Sequence, residues 1–194
     1  MLPQIYLVRH GETEWSRSAQ HTSSTDLPLT PQGEQEARGL QSRLNGVTFS
    51  TALSSPRRRA RQTALLAGLG ALVRVDTNLR EWEYGSYEGL TSAAIAKMQP
   101  GWNLFRDGAP GGETPAEVSG RADQVVARLR ELQGNIAVFS HGHFLRVLAV
   151  RWLDLPVIEA QHFALGTASI GILGFEHGHL DQPVITLWNE RREG

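Results

Sequence analysis

Composition and charge place the chain among soluble globular domains: of its 194 residues 40% are hydrophobic and 20% are charged, and the formal net charge is −1. So small a charge excludes bulk attraction to nucleic acid or to an anionic membrane, and the lack of cysteine excludes disulfides, thiolate nucleophiles and cysteine-ligated zinc. Because there is neither a basic leader before an apolar segment nor a window approaching the ~20 apolar residues of a membrane span, we expect a cytoplasmic protein.

The first half of the chain predicts strands that alternate with helices. An apolar run halted by glycine predicts a buried strand at 4–9. A threonine-proline pair predicts the start of a helix at 30–44, where proline suits the first helical position. A short strand at 52–54 precedes a serine-proline pair, which predicts a helix at 55–68, and 72–75 predicts a further strand.

The second half continues the alternation. A threonine precedes a short predicted helix at 91–98, and the stretch 99–112, rich in glycine, proline and tryptophan, predicts an irregular loop. The sequence Thr-Pro-Ala-Glu matches a capping box that opens a helix at 114–132. A strongly apolar strand at 136–140 is followed by an apolar helix at 144–153.

Strands that alternate with helices are typical of a mostly parallel sheet covered by helices on both faces. We therefore predict the α/β class, with one three-layer α/β/α domain over residues 1–194. The last two predicted strands, 169–175 and 184–188, are joined by a polar turn and are compatible with an antiparallel edge.

The first strand ends in Arg9-His10-Gly11. Open α/β sheets place their sites at the carboxyl ends of strands, so both polar side chains are candidates for a site. A neutral imidazole beside a fixed cation is suited to attack an electrophile that carries negative charge. A phosphate monoester is the obvious candidate for that electrophile.

Three further motifs accompany this one. Arg59 lies in the sequence Ser-Pro-Arg-Arg-Arg-Ala, Glu81 lies in Leu-Arg-Glu-Trp-Glu-Tyr-Gly, and His141 with Gly142 ends the strand at 136–140. Any one of these motifs alone is weak evidence for a function. Together with the motif at the end of the first strand they make four motifs in a defined order.

In that order the motifs resemble the histidine phosphatase superfamily, which also contains the cofactor-dependent phosphoglycerate mutases. The resemblance covers roughly 6–176 and implies a phosphoglycerate mutase-like fold. Residues 15–30 look like a subgroup of small-molecule phosphatases from bacteria and fungi rather than like the glycolytic mutases.

The resemblance implies five catalytic residues. His10 is the expected nucleophile and forms a phosphohistidine, which splits one displacement into two steps. Arg9 and Arg59 are expected to bind phosphate oxygens, and His141 to donate a hydrogen bond to one of them. Glu81 is expected to protonate the leaving alcohol and then to take a proton from the attacking water.

Other readings of these positions remain open at this point. Arg9 could pair with Glu12 instead of binding phosphate, and Glu83 and Glu88 compete with Glu81 for the role of the acid. The pattern Ser-Pro-x-x-Arg-Ala of the family that the chain resembles selects Arg59. The neighbouring arginines are expected on an exposed helix face, which a run of charges usually marks.

Expectations for substrate contacts rest on the same resemblance. The family often has asparagine where this chain has Ser16, and a glycine where it has Ser23, so the backbone approach to phosphate is in doubt there. The predicted substrate-binding residues are Gly11, Ser16, Thr22, Ser23, Tyr84 and Gly142.

Two His-x-His pairs superficially suggest a metal site. His141 and His143 form one, but no cluster of carboxylates accompanies them in the sequence. His177 and His179 form the other in a polar turn, where exposed histidines are common. We predict no metal and no cofactor.

The predicted function is a phosphomonoesterase that hydrolyses a small phosphorylated metabolite, with sugar phosphates and broad specificity as options. A phosphoglycerate mutase is the alternative; the segment 86–112 is short and carries only Lys97 and Arg106 as basic residues. A non-catalytic phosphoryl-binding module is the second alternative, disfavoured because all five catalytic positions are filled. A homodimer is left open, with Trp152, Leu153 and Leu155 as a candidate interface patch.

Overall fold

A six-stranded sheet runs through the centre of the protein, whose computed structural model describes residues 2–191. The strands are β1 (Gln4–Arg9), β2 (Phe49–Ser54), β3 (Val73–Val75), β4 (Asn135–Ser140), β5 (Ile170–Phe175) and β6 (Pro183–Glu190). Their spatial order is β3-β2-β4-β1-β5-β6. The first four are parallel, β5 is antiparallel to β1, and β6 is antiparallel to β5. The predicted mostly parallel sheet is confirmed, with the antiparallel edge.

Seven α-helices are described within residues 2–191, and short 3₁₀ turns connect several elements. The helices are α1 (Glu14–Arg17), α2 (Pro31–Leu44), α3 (Arg58–Leu66), α4 (Ser92–Met98), α5 (Leu104–Asp107), α6 (Pro115–Glu131) and α7 (Gly142–Trp152). None of them is both long and apolar enough to cross a bilayer.

Helices cover both faces of the sheet. Alternate residues of a strand point to opposite sides, so each face contributes its own apolar side chains to a cluster with the helices. Ile5 and Leu7 of β1 belong to a hydrophobic cluster with residues of α4, α5, α6 and α7. Val8 belongs to a second cluster with residues of α2 and α3. The predicted three-layer arrangement follows from this division of the core.

Capping signals explain where two of the long helices begin. Thr30 accepts a hydrogen bond from the backbone N–H of Gly33 at the start of α2, and Pro31 occupies the first turn. Thr114 and Glu117 form the reciprocal capping box of α6. Both starts agree with the sequence prediction.

Some predicted boundaries were wrong, and one predicted loop contains a helix. Strand β2 begins at Phe49, three residues before its predicted start at 52. Helix α3 begins at Arg58 rather than at the serine-proline pair, because Ser55 is engaged elsewhere: its Oγ accepts from the backbone N–H of Arg57 and contacts His141. The predicted irregular stretch 99–112 contains the short helix α5, which Asn103 caps through the backbone N–H of Phe105.

The candidate interface patch is also corrected by the structure. Trp152 is fully buried, and its indole N–H donates to the carbonyl of Gly174 at 3.1 Å. Its ring packs on Phe175 with centroids 4.9 Å apart. A buried indole with a satisfied N–H is a core residue, so Trp152 does not belong to an exposed patch.

Candidate active site

The ends of three parallel strands meet at one edge of the sheet. β1 and β4 pair so that Arg9 lies opposite Ser140, and His10 and His141 therefore follow side by side. Their ring centroids lie 5.2 Å apart, with the planes at 62°. β2 flanks β4 on its other side and ends at Ser54, so the chain from Ser55 into α3 reaches the same edge.

A small cavity of about 100 Å³ opens at this edge. It is lined by Arg9, His10, Ser16, Gln20, Thr22, Glu81, Tyr84, Gly142, His143, Arg146 and Leu165. A larger groove of about 560 Å³ lies around α3 and β3, but its lining contains no histidine. Three of the five predicted catalytic residues, Arg9, His10 and Glu81, line the small cavity. His141 packs against His10, and Arg59 donates a hydrogen bond to His141.

His10 is held as a neutral ring with one fixed tautomer. Its Nδ1 lies 2.7 Å from the carbonyl oxygen of Gly11. A carbonyl can only accept, so Nδ1 carries the proton and Nε2 keeps its lone pair. Burial, then the charges of Arg59 and Arg9, hold the pKa of His10 well below its ordinary value. Such a ring can act as a nucleophile at neutral pH.

Arg9 offers an unpaired donor beside this nucleophile. Its Nη1 donates to the carbonyl of Leu165 at 2.5 Å, whereas its Nε is buried and has no hydrogen-bond partner within residues 2–191. A buried guanidinium N–H without an acceptor is costly, so this atom is suited to an oxyanion. The alternative pairing with Glu12 is not found, because Glu12 accepts from the hydroxyl of Thr30 instead.

Arg59 is fully buried, whereas Arg58 and Arg61 are exposed. Its Nη2 donates to the carbonyl oxygens of Thr22 and Ser23 at 3.0 and 3.3 Å, and its Nη1 donates to that of Thr25 at 3.0 Å.

The Nε of Arg59 donates to Nδ1 of His141 at 3.2 Å. The guanidinium therefore supports the wall of the cavity and acts on His10 through its charge. Its contact with phosphate oxygens stays a prediction.

His141 is neutral and enclosed. Because arginine can only donate, Nδ1 of His141 accepts from Arg59, and the ring proton is on Nε2, which lies 2.7 Å from Oγ of Ser55. Burial, followed by the charge of Arg59, holds the pKa of His141 well below its ordinary value. In this state the ring is locked between a cation and a hydroxyl.

Glu81 lies on the N-terminus of α7. Its Oε1 accepts from the backbone N–H groups of Trp82 and Phe144 at 2.9 and 2.8 Å, and its Oε2 from that of His143 at 3.1 Å. The first N–H groups of a helix have no partner within the helix, so the carboxyl group satisfies two of them. The candidate acid is thereby held at the cavity that His10 also lines.

The competing carboxylates lie elsewhere. Glu83 is exposed. Glu88 accepts from the backbone N–H groups of Ser23 and Thr25 and from the Ser23 hydroxyl. Burial acts to raise the pKa of Glu88, but these hydrogen bonds together outweigh it and leave the pKa lowered. Of the three acids only Glu81 lines the cavity.

A buried ion pair holds the segment that carries Glu81. Arg121 donates to both carboxylate oxygens of Glu113 at 2.8 and 2.6 Å. It also donates to the backbone carbonyls of Asn78, Arg80 and Glu81. The same carboxylate of Glu113 accepts from the backbone N–H of Glu83. The chain is therefore fixed on both sides of Glu81.

Four of the six predicted substrate-binding residues line the cavity, namely Ser16, Thr22, Tyr84 and Gly142. Ser23 does not: its hydroxyl donates to Glu88 at 2.9 Å, so it serves the loop and not the cavity.

Gly11 does not line the cavity either. Its backbone N–H donates to the hydroxyl of Thr63. A Cβ at Gly11 would lie 2.3 Å from the carbonyl oxygen of Gly33. Glycine is required at this position for close packing.

Known proteins are similar to this chain over most of its length. The model of the histidine phosphatase superfamily (branch 1) matches residues 5–191. The chain belongs to the histidine phosphatase superfamily. Over 180 residues it is 45% identical to an acid phosphatase of Mycobacterium tuberculosis. The aligned region covers 90% of this chain and 88% of the relative.

Two further comparisons reach over nearly the whole chain. The protein is 34% identical to sedoheptulose 1,7-bisphosphatase of Saccharomyces cerevisiae, with 96% of this chain and 93% of the relative covered. A solved structure of a protein from Mycobacterium tuberculosis matches with a TM-score of 0.91, 41% identity and 97% of each chain covered. The phosphoglycerate mutase-like fold implied by the sequence motifs is confirmed.

Four residues that line the cavity were not predicted as site residues from the sequence of this histidine phosphatase superfamily member: Gln20, His143, Arg146 and Leu165. The sequence pattern singles out His143 only as half of a metal-ligand pair. In the structure its Nδ1 shares a 2.6 Å hydrogen bond with the hydroxyl of Tyr84, and its ring stacks on His21. Gly142 and Arg146 lie four residues apart on one helix face, which is the signal that could have found Arg146.

Within residues 2–191 no group of three or more histidine, aspartate or glutamate side chains has the geometry to hold a metal ion. His141 is engaged by Arg59 and Ser55. The side chain of His177 is exposed in the turn between β5 and β6.

Proposed function

We propose that the protein hydrolyses phosphate monoesters of small metabolites, sugar phosphates among them, through a phosphohistidine on His10. One observation carries this proposal: His10 is a neutral ring whose Nδ1 proton is committed to Gly11, beside the unpaired Nε donor of Arg9. The similarity to an acid phosphatase and to a sugar bisphosphatase supports the reaction class.

In the first step Nε2 of His10 attacks the phosphorus atom. The bond from phosphorus to nitrogen forms as the bond to the ester oxygen breaks, and Glu81 gives that oxygen its proton. Arg9 donates to the oxygens of the phosphoryl group, and the charge of Arg59 acts from behind the cavity wall. Fixed donors of this kind stabilise the charge on a transferring phosphoryl group without reorganisation.

In the second step a water molecule attacks the phosphohistidine. The Glu81 carboxylate takes a proton from the water, the bond from phosphorus to nitrogen breaks, and inorganic phosphate leaves. His10 returns to its neutral form and Glu81 is again protonated, so the two steps balance. The single carboxyl group at the N-terminus of α7 thus serves both halves of the reaction.

The mutase alternative receives no support from the cavity. Lys97 and Arg106 are the two basic residues of the segment 86–112, and neither of them lines the cavity. Arg106 is instead exposed and paired with Asp107. A homodimer, a cytoplasmic location, and the absence of a metal, a nucleic-acid partner or a membrane partner stay predictions.

The experiment measures phosphate release from a panel of phosphomonoesters at acidic and neutral pH with EDTA present. The wild type is compared with His10→Ala and, as a matched control, with His177→Ala in the exposed turn. We expect EDTA-resistant turnover that falls at least ~10³-fold in His10→Ala only. Samples quenched with detergent at alkaline pH should contain phosphohistidine, which is stable in base and is lost on acid treatment. Turnover by His10→Ala near the wild-type rate would refute the mechanism.

A further inference from the structure

The loop 22–25 is held from two sides by opposite charges. On one side the buried Arg59 guanidinium donates to three backbone carbonyl oxygens of the loop. On the other side the partly buried Glu88 carboxylate accepts from the backbone N–H groups of Ser23 and Thr25 at 3.0 Å and from the Ser23 hydroxyl at 2.9 Å. The cation and the anion are therefore joined through the main chain of the loop.

One peptide group links the two charges directly. The carbonyl oxygen of Thr22 accepts from Nη2 of Arg59 at 3.0 Å, and the N–H of the same peptide, which belongs to Ser23, donates to Glu88 at 3.0 Å. A trans peptide directs its oxygen and its hydrogen to opposite sides and carries a dipole between them. The negative end of this dipole faces the cation and the positive end faces the anion. Each charge therefore strengthens the hydrogen bond that the peptide makes to the other charge.

The position of the Arg59 guanidinium depends on this loop. Within residues 2–191 no ion pair joins Arg59 to a carboxylate. Apart from the bonds to the loop, its guanidinium donates from Nε to Nδ1 of His141 at 3.2 Å. A shift of the loop would therefore move the guanidinium relative to the two histidines at the strand ends.

The charge of Arg59 acts on the expected nucleophile. Burial contributes most to holding the pKa of His10 well below its ordinary value, and the charge of Arg59 comes next, ahead of that of Arg9. The same charge lowers the pKa of His141 after burial. If the guanidinium moves away, His10 takes up a proton at a higher pH and loses the lone pair that attacks phosphorus.

We infer that Glu88 is a positioning residue of the reaction: its carboxylate fixes the loop 22–25, and the loop holds the Arg59 guanidinium in place beside His10 and His141. This inference rests on the proposed function, because it takes His10 as the nucleophile. Glu88 does not line the cavity, so it acts through the loop and not on the substrate.

A purely structural role makes a different prediction. In that case Glu88 only stabilises the loop, and Glu88→Gln lowers the Tm without changing the surroundings of Arg59. A positioning role also changes the protection of the Arg59 guanidinium from solvent and the pH dependence of the reaction. Both properties can be measured separately from the Tm.

The first measurement is the rate of hydrogen exchange at Nε of Arg59, followed by NMR in protein with isotope-labelled arginine. Arg59→Lys assigns the signal. The fully buried side chain should exchange slowly in the wild type, and exchange should be faster by about tenfold or more in Glu88→Gln. Ser23→Ala removes one donor to Glu88 and keeps its charge, so it should give a smaller increase. Unchanged exchange in both variants would overturn the inference.

Glu117→Gln is the matched control for this measurement. The Glu117 carboxylate also accepts from a backbone N–H and a hydroxyl, both of Thr114, but it caps α6 and does not line the cavity. This variant should leave exchange at Arg59 and the activity as they are in the wild type.

The second measurement is kcat/KM against pH for one ester, so that ionisation of the substrate is common to all variants. Glu88→Gln should lower kcat/KM about tenfold or more and move its acid limb up by about half a pH unit or more. In an Arg59→Lys background the same change should move the acid limb little further, because the guanidinium through which Glu88 acts is gone. Additive shifts of the acid limb would overturn the positioning role.

The two readouts separate this inference from the proposed function, because hydrogen exchange needs no turnover. If the wild type hydrolyses no ester but exchange at Arg59 depends on Glu88, the proposed function fails and the coupling from Glu88 to Arg59 stands. If hydrolysis proceeds and neither exchange nor the acid limb depends on Glu88, the positioning role alone fails. Faster exchange with an unchanged acid limb would leave Glu88 a structural role only.

Discussion

The guanidinium of Arg9 lies against the backbone of Gly142: a Cβ added at position 142 would come 3.3 Å from both Cζ and Nε of Arg9. The Nε atom is the buried donor without a partner. A methyl group at position 142 would therefore displace or cover the donor that we assign to the phosphoryl group.

Gly142→Ala is expected to lower kcat/KM about tenfold or more, the cost of weakening one charge-assisted hydrogen bond. The Tm should not fall by a comparable degree, because alanine forms helices better than glycine. Steady-state kinetics and thermal unfolding measure both effects. Gly120→Ala in α6 is the control, since a Cβ there meets nothing within 4 Å. Full activity in Gly142→Ala would show that catalysis does not need the Arg9 donor.

Glu81→Gln tests the proton donor. Loss of proton transfer should lower kcat for alkyl phosphates by about 10²-fold or more, whereas p-nitrophenyl phosphate should lose far less because p-nitrophenolate leaves without a proton. Rates for a series of leaving groups show the difference as a steeper dependence on leaving-group pKa. Glu83→Gln, at an exposed position two residues away, is the control. Equal losses across the series would argue against Glu81 as the acid.

Arg121→Ala tests the buried ion pair behind Glu81. It leaves the Glu113 carboxylate buried with fewer donors, which is expected to lower the free energy of unfolding by about 3–5 kcal/mol. Urea denaturation measures this change. Arg128→Ala on the same helix removes a half-exposed pair with Asp76 and should cost at most about 1 kcal/mol. Similar losses in both variants would mean that the buried pair has no special weight.

The stability of the fold should fall in mild acid. Burial and neighbouring cations lower the pKa values of His10, His141 and His143 well below their ordinary value of 6.5. Above pH 6.5 both the native and the unfolded chain hold these rings neutral, and as pH falls below 6.5 only the unfolded chain takes up the protons. Each ring then removes about 1.4 kcal/mol per pH unit.

Urea denaturation at intervals between pH 8 and pH 5 measures that slope. The slope of the three rings together approaches about 4 kcal/mol per pH unit roughly one pH unit below the unfolded pKa, where the unfolded rings are almost fully protonated. His143→Gln should reduce the slope by about one third, because one of the three rings no longer titrates. A flat profile between pH 7 and pH 5 would contradict the lowered pKa values.

Local signals explain what the sequence could predict. The threonine caps of α2 and α6 act within three residues, and the apolar runs that end in His10 and His141 each form one buried strand. Such patterns need no knowledge of the rest of the chain. They suffice for the sheet, for the five longer helices and for the edge where the two histidines meet, but not for the short helices α1 and α5.

Contacts distant in sequence explain what could not be predicted. Ser55 reads as a helix cap, but His141, 86 residues away, lies within hydrogen-bond distance of its hydroxyl. Ser23 reads as a substrate contact, but Glu88 engages it from 65 residues away. A short side chain bonds to whichever partner the fold brings near, and only the tertiary structure decides between them.

The close approach of Gly11 and Gly33 has a consequence for engineering this protein. A Cβ at Gly11 would lie 2.3 Å from the carbonyl oxygen of Gly33, and a Cβ at Gly33 would lie 2.1 Å from that of Glu12. Main chain blocks main chain there, so no rotamer change can make room. A mutant library aimed at new substrates should keep both glycines fixed and randomise Gln20 and Leu165, which line the cavity.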